Sequence, residues 1–243
     1  MKKVLVTGGC SFTASPSWPE CLASLLDITV HNQAQSSQGN WLISRRVMYA
    51  VLQELKQHNP EDILVGIMWS GPDRADWYAE NLPDHTLAPF SSPPAKFVKD
   101  GAGAWSIANL NFNTHLANLY YTSPFYNTTA HQIATYEKIF ATQAFLENLG
   151  IDYFMTTYTD QVLLDSDSAN PDISWMHSAI NWTNWLPING MFEWCKANTL
   201  HDFNEITHAQ ALANSNLKAH PSLAHNNDFA RYVVLPFLGN VSH

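Results

Sequence analysis

Ser11 stands where an apolar run meets a tight turn. Residues 4–6 are Val-Leu-Val, which is too short for a helix and β-branched enough for a buried strand, and Gly8 and Gly9 end the run. A serine on such a bend exposes its oxygen beside backbone N–H groups, which suits a nucleophile. A glycine turn with a Ser or Thr helix cap explains the same residues without chemistry. The rest of the chain must decide between these two interpretations.

A base is the second requirement, because a serine hydroxyl is a weak nucleophile unless a neighbouring group, normally a histidine, accepts its proton. His220 is the best placed of the eleven histidines. Pro221 restricts the backbone beside it, and a helix capped by Ser222 is predicted to begin directly afterwards and to pack onto the sheet. A lone histidine is more often structural than catalytic, so it is the neighbours of His220 that single it out.

The elements that must position these residues alternate along the chain as in an α/β fold with a parallel sheet. Sites in such sheets form outside the carboxyl ends of the strands. Ser11, the polar loop at 36–40 and the turn at 69–74 are therefore expected to share one rim. The strands are predicted at 4–6, 28–32, 62–68 and 151–157, and the helices at 21–26, 40–58 with Asn40 as N-cap, 128–150 and 222–235.

Length and composition indicate one domain, residues 1–243. Hydrophobic residues make up 46% of the chain, enough for a well-buried core, and the composition is even along its length. Two irregular, aromatic-rich stretches, about 75–130 and 160–198, are predicted as long insertions. Some helix is expected at 107–121 in the first of them, and a partly helical stretch is expected at 200–217.

Charge and cysteine content narrow the classes of function. A formal net charge of −9 without a cluster of lysines and arginines argues against a nucleic-acid binder. Three widely spaced cysteines without a Cys-x-x-Cys pair fit a reducing compartment, and no secretory signal or membrane-spanning run is visible. We expect a cytoplasmic or virion-associated protein with no nucleic-acid partner and no membrane span, and the oligomeric state stays open.

Other chemistries find less support. Thr7-Gly8-Gly9 follows a strand as a nucleotide-binding turn does, but Gly-x-Gly-x-x-Gly and Gly-Lys-Ser/Thr are both absent. Cys10 is interpreted as a buried small residue rather than a thiol nucleophile. The C-terminal histidines fit no standard metal-ligand spacing, so neither a metal nor a cofactor is predicted. The residues weighed for that metal site are His201, Asp202, His208, His220 and His225.

Three segments together resemble the SGNH/GDSL hydrolase superfamily. They are Gly9-Cys-Ser-Phe-Thr13, Asn32-x-Ala-x-Ser-Ser-x-Gly-Asn40 and His220-Pro-Ser-Leu-Ala-His225, which follow in the family order. More narrowly, the chain is similar to the phage and bacterial branch that opens with Gly-x-Ser-Phe-Thr. The resemblance implies a flavodoxin-like three-layer α/β/α fold and an esterase, lipase, thioesterase or carbohydrate deacetylase. It makes Ser11 the nucleophile, with its N–H in the oxyanion hole, and His220 the base.

The family's oxyanion donors match only in part. The oxyanion glycine falls on Ser37 or, with a shifted loop, on Gly39, and either residue would offer its backbone N–H. The family's asparagine after the third strand falls near Ser70-Gly71, where no asparagine stands. The loss removes a donor worth roughly 3 kcal/mol of transition-state stabilisation. Asn40 or the Ser70 hydroxyl is the candidate substitute.

The third member of the triad also departs from the family pattern. The family's aspartate, three residues before the histidine, falls on Leu217. Asp202 is the nearest upstream aspartate, and Asp160 or Asp165 is the alternative from the end of the fourth strand. A Ser–His dyad, in which a backbone carbonyl orients the imidazole, is also open.

The number of tryptophans gives an indication of the class of substrate. Flat aromatic faces over a cleft suit sugar rings or planar acyl groups, and packing under long loops is the alternative. We expect a serine esterase or deacylase that hydrolyses an ester, such as an O-acetyl group on a carbohydrate, through an acyl-serine. A catalytically degenerate binding or structural protein of the same fold and an acyltransferase are the alternatives. The tryptophans concerned are Trp69, Trp77, Trp105, Trp175, Trp182, Trp185 and Trp194.

Overall fold

The structure is a computed structural model that describes residues 2–79, 97–100, 103–108, 119–123, 126–163, 170–198 and 220–241. One parallel sheet is built from β1 (Val4–Gly8), β2 (Thr29–Asn32), β3 (Ile63–Trp69) and β7 (Asp152–Thr157). Its strand order, β2-β1-β3-β7, matches the first four strands of a flavodoxin-like sheet. The predicted α/β fold with a parallel sheet is confirmed.

Burial separates the central strands from the edge strand β2. Every residue of β1 and β3 is buried, as expected for apolar runs that are covered on both faces. β2 alternates between exposed and half-buried residues because it lies at the edge. Thr7 of β1 pairs with Asn32 of β2 and Gly66 of β3, so these strands end close together.

Helices lie on both faces of the sheet and complete three layers. A Cβ on Gly8 would lie 2.3 Å from the side chain of Val47 in α2, and one on Gly66 would lie 3.0 Å from the Trp18 ring of α1. The two glycines thus allow a helix to approach each face closely. The α-helices whose two ends both lie in the described ranges are α1 (Trp18–Leu26), α2 (Asn40–Glu54), α3 (Thr128–Asn148), α4 (Pro171–Ala179), α5 (Met191–Asn198), α6 (Leu223–Phe229) and α7 (Leu235–Val241). Residues 119–121 are also helical, and a π-helix (Ala230–Val234) joins α6 to α7.

The start of α1 differs from the prediction. The helix begins at Trp18 rather than at Cys21. Ser17 and Glu20 form a capping box, and Pro19 fits the first turn of a helix because its missing N–H is not needed there. Pro19 therefore lies inside the helix, which begins three residues before the predicted start at Cys21.

The first predicted insertion contains a second sheet. Its antiparallel strands follow the order β4-β6-β5, with β4 at Ala75–Ala79, β5 at Phe97–Asp100 and β6 at Gly103–Ala108. The helix predicted at 107–121 is wrong at its start, because residues 103–108 pair as a strand. Residues 109–118 and the stretch predicted to be partly helical, 200–217, lie outside the described residues. No helix within the described ranges is long and apolar enough to cross a membrane.

Candidate active site

Ser11 and His220 meet beyond the carboxyl end of β1, although 209 residues separate them in the chain. The Nε2 atom of His220 lies 2.7 Å from the Oγ atom of Ser11, within hydrogen-bond distance. Both residues are partly exposed, which leaves the pair open on one side. The His220 ring packs on Phe12 with the ring centroids 5.0 Å apart, and this contact holds the imidazole beside the hydroxyl.

The turn that carries Ser11 is fixed by hydrogen bonds at Thr13, its buried last residue. The N–H of Thr13 donates to the carbonyl of Cys10 at 3.0 Å, which closes the turn around Ser11. The carbonyl of Thr13 accepts from the Ser17 hydroxyl at 2.6 Å and from the Asn32 amide at 2.7 Å. The turn that carries Ser11 is therefore tied to α1 and to the end of β2.

Asn226 fixes the segment that carries His220. Its Oδ1 atom accepts the Trp18 N–H at 2.9 Å, and its Nδ2 atom donates to the carbonyl of Pro221 at 3.3 Å. The residue is buried and joins the start of α6 to the start of α1. Sequence reasoning missed Asn226, because a polar residue inside a helix gives no signal of a distant partner.

His225 has a structural task. Its Nδ1 atom lies 2.6 Å from the Ser222 hydroxyl, and the two residues form the capping box at the start of α6. Within the described residues, no group of three or more His, Cys, Asp or Glu side chains has an arrangement that could hold a metal. The remaining residues weighed for a metal site, His201, Asp202 and His208, lie outside the described ranges.

Two of the predicted oxyanion donors have no partner within the part of the chain that the structure describes. Among the residues that the structure describes, the backbone N–H groups of Ser11 and Ser37 have no acceptor. Ser37 has a φ of 72°, in the left-handed region that favours glycine, whereas Gly39 has a φ of −88°. The glycine-like position in the loop is thus occupied by Ser37, and this observation favours Ser37 over Gly39 as the oxyanion residue.

The Asn40 amide is already engaged. Its Nδ2 atom donates to the carbonyl of Ser70 at 2.9 Å and to the Thr135 hydroxyl at 3.1 Å, and its Oδ1 atom accepts the Ser70 N–H at 2.8 Å. Asn40 is therefore neither the N-cap of α2, which is Gly39, nor a free oxyanion donor in this geometry. It fastens the start of α2 to the end of β3.

Three other candidate donors sit below the surface of the site or are in use. The Ser70 hydroxyl is fully buried and has no partner among the described residues. Gly71 is buried as well, and a Cβ there would lie 2.3 Å from a carboxylate oxygen of Asp73. The Gly39 N–H donates to the Asp76 carboxylate at 2.9 Å. None of the three presents a free donor at the exposed face of the site.

Asp76 is a buried carboxylate that sequence reasoning missed. Its side chain is withdrawn from water, and this burial raises its pKa to about 6, against the opposing effect of hydrogen bonds from Leu42 and Gly39 and of the nearby Arg74. The signal available in the sequence was the pair of charged residues, Arg74 and Asp76, that follows the carboxyl end of a buried strand.

Helix α3 holds the turn that carries these two charges. His131 Nδ1 lies 2.9 Å from the Pro72 carbonyl, so this nitrogen carries a hydrogen, and Nε2 accepts from the Tyr120 hydroxyl at 2.5 Å. Burial lowers the pKa of His131 and favours this neutral form. The Tyr121 hydroxyl donates to the Asp73 carbonyl. The backbone of the turn is thus held at Pro72 and at Asp73.

A cavity of about 290 Å³ lies beside this turn. Arg74 and Asp76 contribute to its wall, and neither Ser11 nor His220 lines it. Trp41 is 56% exposed and has the Lys138 ammonium 4.9 Å from its ring centroid. The cavity shares Asn40, Arg74 and Asp76 with the segments described above, and it has room for part of a ligand.

Most described tryptophans of the aromatic-rich stretches pack inward. Trp69 is fully buried, and Trp182 and Trp185 pack against each other with ring centroids 4.9 Å apart. Trp194 packs on the core, whereas Trp175 is 58% exposed. The inward-facing rings serve as local cores under long connections. The side chains of Trp77 and Trp105 lie outside the described residues, as do Asp165, Asp202 and Leu217.

Comparisons with known proteins add little. No protein-family model and no curated protein matches the chain. A solved structure, protein YXIM_BACsu from Bacillus subtilis, matches with a TM-score of 0.43 and 11% identity over 99% of this chain and 57% of that chain. The chain thus spans 57% of that protein's length. A likeness of this size carries no argument, so the fold and the site rest on their own geometry.

Proposed function

We propose that the protein is a serine ester hydrolase of the SGNH type, in which Ser11 is the nucleophile and His220 is the general base. The observation that carries the proposal is the distance of 2.7 Å between His220 Nε2 and Ser11 Oγ. A serine next to an imidazole, with a backbone N–H that has no acceptor among the described residues, is the arrangement that acyl transfer requires.

The reaction uses these groups in two steps. Nε2 of His220 accepts the hydroxyl proton while Oγ of Ser11 attacks the ester carbonyl, and the N–H groups of Ser11 and Ser37 stabilise the oxyanion. The same nitrogen returns the proton to the leaving alcohol, and an acyl-serine remains. Water then attacks the acyl group as His220 accepts its proton. When the second tetrahedral intermediate collapses, His220 returns that proton to Oγ of Ser11, which releases the acid and regenerates both residues. Asp202 is the proposed partner of the other ring nitrogen.

The substrate class that we propose is an O-acylated carbohydrate. Trp41, which is more than half exposed, lines the cavity that Arg74 and Asp76 border, and an exposed ring beside polar groups suits a sugar. Acetate release from an acetylated polysaccharide such as acetylxylan tests this part. If the protein hydrolyses p-nitrophenyl acetate but releases no acetate from acetylated glycans, the proposed esterase activity stands and the proposed carbohydrate substrate is wrong.

The nucleophile is tested with a fluorophosphonate probe and with p-nitrophenyl acetate. We expect the probe to label wild type at the peptide that contains Ser11, and Ser11→Ala to lose both the label and the hydrolysis. Ser178→Ala, an exposed serine on α4, is the matched control and should behave like wild type. A folded wild type that neither reacts with the probe nor hydrolyses the ester would contradict the proposal and favour a degenerate binding module.

The same assay separates a hydrolase from an acyltransferase. An acyl-serine formed in the first step can be taken by water or by an acceptor hydroxyl. Product analysis with and without an added alcohol measures the partition. Free acid as the main product in both conditions supports hydrolysis. A new ester as the main product when the alcohol is present would contradict the proposed hydrolase and indicate an acyltransferase.

A further inference from the structure

The turn at residues 70–74 leads directly into β4, and this segment contacts the loop before α2 through two charged side chains, Arg74 and Asp76. Asp76 accepts hydrogen bonds from the backbone N–H groups of Gly39 and Leu42, both at 2.9 Å. Arg74 donates through Nη1 to the carbonyl of Gln38 at 3.4 Å. This segment therefore binds three backbone groups at the junction between the loop and α2.

Asp76 accepts the hydrogen bonds that the side chain of an N-cap residue normally accepts. Gly39 is the N-cap of α2 and has no side chain, so the first N–H groups of the helix need an acceptor from elsewhere. The Asp76 carboxylate supplies it, and its negative charge faces the positive end of the helix. A Cβ on Gly39 would lie 2.6 Å from Asp76 Oδ2, so the close contact requires a glycine.

Arg74 extends the same connection to the nucleophile turn. Its guanidinium lies close enough to the side chain of Cys10, the residue before Ser11, for the two to interact electrostatically. Its guanidinium carbon lies 5.2 Å from the centroid of the Tyr158 ring, which packs edge-on against Phe12 at 5.3 Å. Arg74 thus links the loop to the residues on both sides of Ser11.

We propose that Arg74 and Asp76 are positioning residues that hold the N–H of Ser37 in a set place relative to the Ser11 hydroxyl. This inference rests on the proposed function, because it assigns both residues to the oxyanion hole. The left-handed backbone at Ser37 persists only with support from its surroundings, and the two charged residues bind the chain directly after it. Both act through the backbone rather than on the reacting atoms.

Arg74→Lys and Asp76→Asn test the positioning role. Lysine keeps the positive charge but loses the planar set of donors, and asparagine keeps the shape of aspartate but has a single acceptor oxygen. With p-nitrophenyl acetate we expect kcat to fall roughly 10- to 100-fold in each variant while KM changes little. The affinity for phenylboronic acid, which forms a tetrahedral adduct on serine, should fall in parallel. Arg231→Lys and Asp172→Asn, both exposed, are the matched controls.

Hydrogen exchange supplies a measurement that needs no activity. In both variants the amides of residues 37–42 should exchange faster than in wild type, while those of β1 stay protected. Unchanged exchange at 37–42 would overturn the proposal, as would a kcat within about threefold of wild type in both variants. If wild type hydrolyses no ester and the probe spares Ser11, the proposed function fails. In that case hydrogen exchange alone shows whether Arg74 and Asp76 hold the loop that contains Ser37.

Discussion

The nucleophile half of the site (residues 9–13 and 220–226) and the oxyanion half (residues 36–42 and 70–76) are held in different ways. Hydrogen bonds from neutral side chains, Ser17 and Asn226 among them, fix the nucleophile half to the start of α1. Two charged side chains hold the oxyanion half, and one of them is a buried carboxylate.

The difference shows where each half is vulnerable. Neutral hydrogen bonds in the nucleophile half do not depend on pH, and losing one affects mainly the fold. The oxyanion half combines a residue in a left-handed conformation, Ser37, with a carboxylate whose ionised form is disfavoured by burial, Asp76. Apart from the titration of His220 as the proposed base, we therefore expect pH to act on the oxyanion half and packing to act on the nucleophile half.

The largest effect is expected for His220→Asn, which removes the base from the nucleophile half. The value of kcat/KM for an ester probe should fall roughly 10³-fold, or about 4 kcal/mol in the barrier, because no group then accepts the Ser11 proton. Steady-state kinetics on the folded variant measure the loss. His58→Asn is the control, since that ring contacts Glu54 at the far end of α2. A loss of less than about tenfold would exclude His220 as the base.

The second prediction concerns the pH dependence of stability through Asp76, whose pKa rises from 3.8 to about 6 on folding. The folded chain keeps a proton that the unfolded chain has lost, so this group's contribution to stability falls as the pH rises through that window. Asp76→Asn cannot titrate. The unfolding free energy of wild type minus that of the variant should therefore become more negative by up to about 3 kcal/mol between pH 4 and pH 7.

Urea unfolding at both pH values measures this difference. Arg74, His131 and Lys138 line the same cavity as Asp76 and are present in both proteins, so their direct contributions largely cancel. A difference that is the same at pH 4 and pH 7 would show that the carboxylate of Asp76 is not withdrawn from water.

The third prediction tests the neutral anchor of the nucleophile half. Asn226→Ala leaves the buried Trp18 N–H without its acceptor, and we expect a loss of about 1–3 kcal/mol of unfolding free energy. Because Asn226 also binds Pro221, activity should fall as well. Urea unfolding and kinetics measure the two effects, with the exposed Asn198→Ala as control. Equal stability of the two variants would argue against the anchor.

The smallest effect is expected when Ser37 is replaced by glycine. The substitution removes the strain of a left-handed backbone in the folded protein, but it also raises the conformational entropy of the unfolded chain. Ser37→Gly should gain about 0.5 kcal/mol of stability and keep its activity, because the N–H remains. Ser36→Gly, at a position without positive φ, should lose about the same amount. A loss of activity in Ser37→Gly would show that its side chain, and not its N–H alone, takes part.

Much of the fold was predictable because its signals are local. The apolar runs of β1 and β3 and the Ser222 cap predicted elements that the structure contains. The start of α1 was missed, because a proline in a first turn and a proline in a loop look alike until the capping box is recognised. The strand at 103–108 was missed because it pairs only with other parts of the insertion. One domain over the whole chain stays a prediction.

The sequence by itself determined the parallel sheet and the two segments of the nucleophile half, residues 9–13 and 220–226. Strand patterns, glycine turns and helix caps depend only on residues that are neighbours in the chain. Only the tertiary structure decided which oxyanion donors are free. Asn40 is engaged by Ser70 and Gly39 by Asp76, whereas the N–H of Ser37 has no acceptor among the described residues. Whether a donor is available depends on the groups that packing places beside it, and these come from distant parts of the chain.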